Sequence, residues 1–179
     1  MRSDSHRARS VSSARQQRGF SMIELLVAVL VMGIGVLGVA ALQMVSLQNN
    51  RLALERGEAV HLAYDVMDRL RANPGADYQI GFGDGPPDAP DCLGGGANCS
   101  PDQMRDFDLA SWKCLLGDHR DEAVCAELRG AGVIPDLDPP PGLPGGDGAI
   151  ENNGGVITVT VRWMANDGQQ QTVVIDSQG

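Results

Sequence analysis

Apolar positions follow three successive regimes along this chain. From Phe20 to Leu42 they are almost continuous, 23 residues whose only ionisable member is Glu24. As a helix rising ~1.5 Å per residue, such a run is about 35 Å long, enough to cross the ~30 Å hydrocarbon layer of a membrane. Beyond Leu42 the pattern becomes one-sided: Ala59, Leu62, Ala63, Val66 and Leu70 recur at helical spacing, with Glu55, Glu58, Asp65, Asp68 and Arg69 between them. No proline occurs from Phe20 to Asn73, so the pattern predicts one continuous helix of about 50 residues, apolar all round in its first half and amphipathic in its second. Asn73, Pro74 and Gly75 end it. In the third regime the period changes to two. Ile157, Val159, Val161 and Trp163 alternate with Thr158, Thr160 and Arg162, and Asn166-Asp167-Gly168 supplies turn chemistry before Thr172–Ile175, which predicts an antiparallel hairpin with one buried face.

Between helix and hairpin the chain is loop-rich. Gly81–Gly96 is dense in Gly, Pro and Asp, and Pro135–Gly148 is a second connector with polyproline character at Pro139, Pro140 and Pro141. Gln103–Leu116 and Asp121–Leu128 are weakly helical. The expected fold class is α+β: a long N-terminal helix, transmembrane then amphipathic, packed on a small antiparallel sheet with disulfide-bonded loops. The expected organisation is a basic leader (1–19), a transmembrane and assembly helix (20–42) and a periplasmic head (43–179) that includes the amphipathic half of the helix.

Charge sharpens this picture. The formal net charge is −9, but residues 1–19 hold Arg2, Arg7, Arg9, Arg15 and Arg18 against Asp4, and setting that +4 aside leaves −13 on residues 20–179. An acidic body repels phosphates, so nucleic acid is not an expected partner. Arginines before an apolar span and an acidic chain after it place the N-terminus in the cytoplasm and the body outside. Two other readings of the span fail on context. Gly33-Ile34-Gly35-Val36-Leu37-Gly38 spells a dinucleotide fingerprint, with Glu58 twenty residues past the last glycine, but no βαβ units follow. An ordinary secretory signal cut after Val39-Ala40-Ala41 would release a body starting at Leu42, yet the run is longer than a typical signal core and Glu24 interrupts its start.

Arg18-Gly19-Phe20-Ser21-Met22-Ile23-Glu24-Leu25-Leu26 resembles the processing site of type IV prepilins and type II secretion pseudopilins. The resemblance implies cleavage after Gly19 by an inner-membrane prepilin peptidase and methylation of the new N-terminus at Phe20. It also implies an assembly role for Glu24, which pairs with the N-terminal amine of a neighbouring subunit. Physical chemistry agrees: an ionised Glu inside an apolar segment is costly until it finds a partner. Gly33, Gly35 and Gly38 weaken the helix by about 1 kcal/mol each relative to Ala.

Three further segments resemble the PilV family of minor pilins, which modify type IV pili: Asp68-Arg69-Leu70-Arg71-Ala72-Asn73-Pro74-Gly75-Ala76 with Tyr78; Cys99-Ser100-Pro101-Asp102-Gln103-Met104 with Asp108, Leu109, Ala110 and Trp112; and Leu143-Pro144-Gly145-Gly146 before a strand ending in Arg162-Trp163. The resemblance implies a minor pilin that primes assembly at or near the filament tip, supports twitching motility and adhesion, and meets other minor and major pilins and the inner-membrane assembly platform. The competing assignment is a pseudopilin, followed by a periplasmic protein with an ordinary signal peptide.

Outside the cytoplasm four cysteines favour disulfides, and three connectivities are possible. Cys92 with Cys99 and Cys114 with Cys125 is the favoured set, because each pair closes a short loop in a region poor in apolar residues. Intervals of 6, 14 and 10 residues do not suit zinc. Asp84, Asp88, Asp91, Asp147 and Glu151 lack the ligand order of an EF-hand, and acidic loop residues are ordinarily just solvated. Asn98-Cys99-Ser100 fits the glycosylation sequon as a chance match. His6, His61 and His119 are scattered and no nucleophile stands beside a base, so neither an enzyme nor a metal or other cofactor is expected.

Overall fold

The computed structural model describes residues 19–94, 98–138 and 141–178. The leader arginines and the Pro139-Pro140 pair lie outside these residues. By its contacts the chain divides into two units, Met1–Ser46 and Leu47–Gly179.

Helix α1 runs over Met22–Ala72. Within the first unit every described side chain is exposed, including Ile23, Leu30, Ile34 and Leu37. A helix that presents apolar side chains on all sides and buries none in its own chain is soluble only in lipid or against other helices.

In the second unit α1 behaves oppositely. Ala59, Leu62, Ala63, Val66, Met67 and Leu70 are buried, at spacings of three, one, three, one and three, which is a single stripe along a 3.6-residue helix. The helix ends as its sequence requires. The Asn73 amide donates to the carbonyls of Arg69 (3.1 Å) and Leu70 (3.2 Å), and Pro74 has no N–H with which to continue.

A short 3-10 turn at Asp91–Gly94 precedes α2 (Pro101–Leu116) and α3 (Ala123–Gly130). Helix α2 starts two residues earlier than its apolar pattern indicates, because Ser100 and Gln103 form a reciprocal capping box with Pro101 in the first turn. The Ser100 hydroxyl accepts from the Gln103 amide (3.3 Å), and the Gln103 side-chain oxygen accepts from the Ser100 amide (2.9 Å).

The sheet holds three antiparallel strands in the order β1 (Asp147–Asn153), β2 (Val156–Met164), β3 (Gln170–Gln178). The expected hairpin is β2 and β3. Strand β1 departs from the expected connector over Pro135–Gly148. Its sequence, Asp-Gly-Ala-Ile-Glu-Asn-Asn, has neither alternation nor β-branched density, and it is a strand because the two-residue turn Gly154-Gly155, both at positive φ, folds it back on β2. A Cβ at Gly148 would overlap the Trp112 ring, so glycine lets α2 lie directly on β1.

The main core joins the α1 stripe to Tyr78, Leu109, Trp112, Leu116, Leu143, Ile150, Val159, Val161 and Trp163. A second apolar cluster under α2 and α3 holds Ala110, Cys114, Cys125, Leu128 and Ile134.

Candidate functional site

The residues singled out at the N-terminus occupy the start of α1. Gly19, Phe20 and Ser21 precede the helix, and the Ser21 carbonyl accepts from the amides of Glu24 (3.0 Å) and Leu25 (3.3 Å), closing the first turn. The Gly19–Phe20 peptide bond is therefore non-helical and exposed, and a Cβ placed on Gly19 would meet nothing within 4 Å. A peptidase that binds extended backbone can reach this bond without unwinding a helix. Glu24 sits in the first turn of α1, where the helix dipole favours an anion. Among the described residues no basic side chain forms an ion pair with it.

In the head, the three family-like segments are far apart in sequence and meet in space. Tyr78 donates its hydroxyl proton to Asp108 at 2.7 Å and accepts from the Asn73 side chain at 3.1 Å. Arg69 reaches Asp65 (2.9 Å), Asp108 (3.2 Å) and Ser111 (3.2 Å), tying the end of α1 to α2. Trp112 donates its indole N–H to the Leu62 carbonyl at 3.0 Å. The Leu143 amide donates to the Leu116 carbonyl (2.8 Å), and the Met164 amide to that of Pro144 (2.9 Å), so the third segment joins α2 to β2. Burial, then the Asp108 hydrogen bond and charge, push the Tyr78 hydroxyl up to about 12 and keep it a donor.

A second network was not legible in the sequence. Lys113, fully buried, donates to Asp147 at 2.8 Å and to the Gly81 carbonyl at 2.9 Å. The other Asp147 oxygen accepts from the Gly83 amide (2.8 Å) and from Arg162 (3.3 Å), whose guanidinium stacks 3.9 Å above the Phe82 ring. Burial opposes ionisation of Asp147, but the Lys113 hydrogen bond and charge and the Gly83 and Gly148 amides outweigh it, holding the carboxyl below its ordinary 3.8. Only the fold reveals that Lys113 and Asp147 face each other across α2 and β1, and no spacing rule connects them.

The acidic loop residues lie in different settings. Asp147 is neutralised by Lys113, Asp84 accepts from the Gly81 amide at 2.7 Å within its own turn, and Asp88, Asp91 and Glu151 are exposed. Asp118, His119 and Asp147 bring ligand atoms within 4.8 Å of one another, but the Asp147 oxygen 3.9 Å from His119 Nε2 already accepts from Lys113. A metal ion there would stand against a buried ammonium. The cysteines pair as Cys92 with Cys99 and Cys114 with Cys125, the set favoured from loop length.

Comparison with known protein families gives two matches that abut. Residues 14–40 match the Prokaryotic N-terminal methylation motif, and residues 41–110 match the family described as Type IV pilin Tt1218. No curated protein and no solved structure matches the chain. The first match covers the junction, Glu24 and most of the apolar run; the second covers the amphipathic half of α1, the disulfide loop and α2 as far as Ala110. A chain that carries a methylation motif on an apolar helix and runs straight on into a pilin head is a pilin precursor: it belongs to the type IV prepilin family, single-pass in the inner membrane and later incorporated into the pilus.

Proposed function

We propose that this chain is a minor type IV pilin, a structural subunit cut after Gly19, methylated at Phe20 and recruited through Glu24 into a complex that primes or modifies pilus assembly. In this reading residues 1–19 are the leader, 20–42 the transmembrane and assembly helix, and 43–179 the periplasmic head. The observation that carries it is the arrangement at the start of α1. A scissile bond lies outside the helix, and a carboxylate one turn away lies within an apolar surface that buries nothing in its own chain.

In the membrane that carboxylate is costly, and docking against the amine of a neighbouring pilin removes the cost. The minor role rests on the head. The segment Asp68–Tyr78, with Asp108 and Trp112, resembles minor pilins, and these residues form the contacts that fasten α1 to α2. The match to a type IV pilin family over residues 41–110 favours a pilus subunit over a secretion pseudopilin. Twitching motility and adhesion are the processes it would serve.

The test is mass spectrometry of the mature N-terminus together with a clean deletion. The expected results are a methylated Phe20 and loss of twitching with protein secretion intact. A mature start at Leu42, or loss of secretion with motility kept, overturns the proposal.

A further inference from the structure

The two edges of the head's sheet are treated differently. On the β1 side Ile80 and Ile150 exchange both backbone hydrogen bonds (3.1 and 2.9 Å), and the neighbouring Gly148 amide is bound by the Asp147 carboxylate at 2.7 Å. That edge is covered. On the β3 side no strand or bridge pairs with the outer edge among the described residues.

The register shows what this edge offers. Ala165 donates to the Gln169 carbonyl at 2.9 Å, and counting the antiparallel alternation onward makes Gln171, Val173 and Ile175 the residues bonded to β2. The amides and carbonyls of Thr172, Val174 and Asp176 therefore point away from the sheet, and their side chains are exposed, Val174 at 56%. The β2–β3 ladder runs through nine consecutive pairs without a bulge, and β3 contains neither Pro nor Lys. Sheets normally blunt an open edge with bulges, Pro and charge, and an edge whose outward row carries one charge, Asp176, and none of the rest is a template for another strand.

We propose that β3 is a docking strand, to which an extended segment of a different pilin subunit adds as the fourth strand of the sheet. This deepens the pilin reading and rests on it. Strand β2 indicates what β3 accepts: Thr160 stands opposite Val174, and Thr158 stands opposite Asp176 and donates to it at 2.7 Å. The incoming segment carries a β-branched residue against Val174 and a hydroxyl or basic residue against Asp176, the one charge in the outward row.

A second copy of this chain can join this edge in parallel only when turned about the strand direction, which puts the two α1 stripes on opposite faces of the joined sheet. Antiparallel pairing turns one copy by 180° about an axis perpendicular to the sheet. It thereby reverses the α1 stripe that lies on that sheet, whereas two chains anchored in one membrane point the same way.

The experiment uses the full-length chain, expressed with the other pilins of its system and extracted in mild detergent. Val174→Pro removes an amide that β2 does not use, a change an edge strand tolerates, while Val173→Pro removes one that β2 does use and serves as the misfolded control. Val174→Pro is expected to keep both disulfides and a near-wild-type melting temperature while recovery of other pilin subunits, identified by mass, falls by about tenfold or more. In the wild-type assembly the amides of Thr172, Val174 and Asp176 are expected to exchange with deuterium about tenfold or more slowly than in the chain alone. Wild-type subunit recovery with Val174→Pro, or unchanged exchange of those three amides on assembly, overturns the docking strand. If Glu24→Ala abolishes assembly under the same conditions, the pilin reading survives that failure.

Discussion

At the scale of single residues, the chain uses two acids in opposite ways. Glu24 is exposed on an apolar helix with no cation paired to it among the described residues, whereas Asp147 is buried against Lys113 at 2.8 Å and needs nothing more. Glu24→Ala is expected to leave insertion and cleavage intact and to ease insertion slightly, since removing a carboxylate lifts up to about 2.5 to 3.5 kcal/mol in the apolar layer. Its loss appears only at assembly, read by blotting sheared pili. Wild-type incorporation would reduce Glu24 to an interfacial residue. For Asp147 the folded carboxyl titrates below its ordinary 3.8, so it contributes stability that is present above that value and is lost as pH falls through the folded one. A melting series from neutral pH into strong acid should show wild type losing stability below about pH 4 more steeply than Asp147→Asn. Lys113→Ala leaves the buried carboxylate with Arg162 and the Gly83 and Gly148 amides as its partners, and should cost about 3 kcal/mol, the low end for breaking a buried pair.

At the scale of elements, what could be read in advance was whatever depended on local pattern. The α1 stripe, the stop at Asn73-Pro74-Gly75 and the β2–β3 hairpin follow from periodicity and turn chemistry. The side chains of strand β1 do not show its place, because a glycine beneath Trp112 and an aspartate paired with Lys113 carry no strand pattern, and only the Gly154-Gly155 turn joins it to β2. The loops divide by burial rather than by length. Cys114 and Cys125 lie inside the second apolar cluster with Ala110, Leu128 and Ile134, while Cys92 and Cys99 are half-exposed. Each bridge is worth about 2 to 3 kcal/mol by loop closure alone. Thermal unfolding of the two double alanine variants should therefore show the larger loss for Cys114 and Cys125, where two buried sulfurs are also removed. Equal losses would mean that the α2–α3 cluster gives the bridge no added support.

At the scale of the whole molecule, the two units are suited to different surroundings. Residues 20–46 bury nothing, whereas the second unit has its own core, both buried networks and both disulfides. A fragment spanning Leu47–Gly179 is expected to fold with the near-UV circular dichroism and disulfide map of the full chain and to stay soluble without detergent. A fragment that aggregates or scrambles its disulfides would show that the apolar half of α1 takes part in folding the head. The sequence by itself determined the long apolar helix, the placing of its single carboxylate at Glu24 and the acidity of residues 20–179, because each depends on residue type within a short window. Tertiary structure alone decided that Lys113 meets Asp147, that Tyr78 and Arg69 share Asp108, and that Ile80 pairs with Ile150 at one sheet edge while no strand pairs with the outer edge of β3 among the described residues. Those pairings span 30 to 70 positions, and partners at that range are set by how helices and sheet pack, which no local pattern encodes.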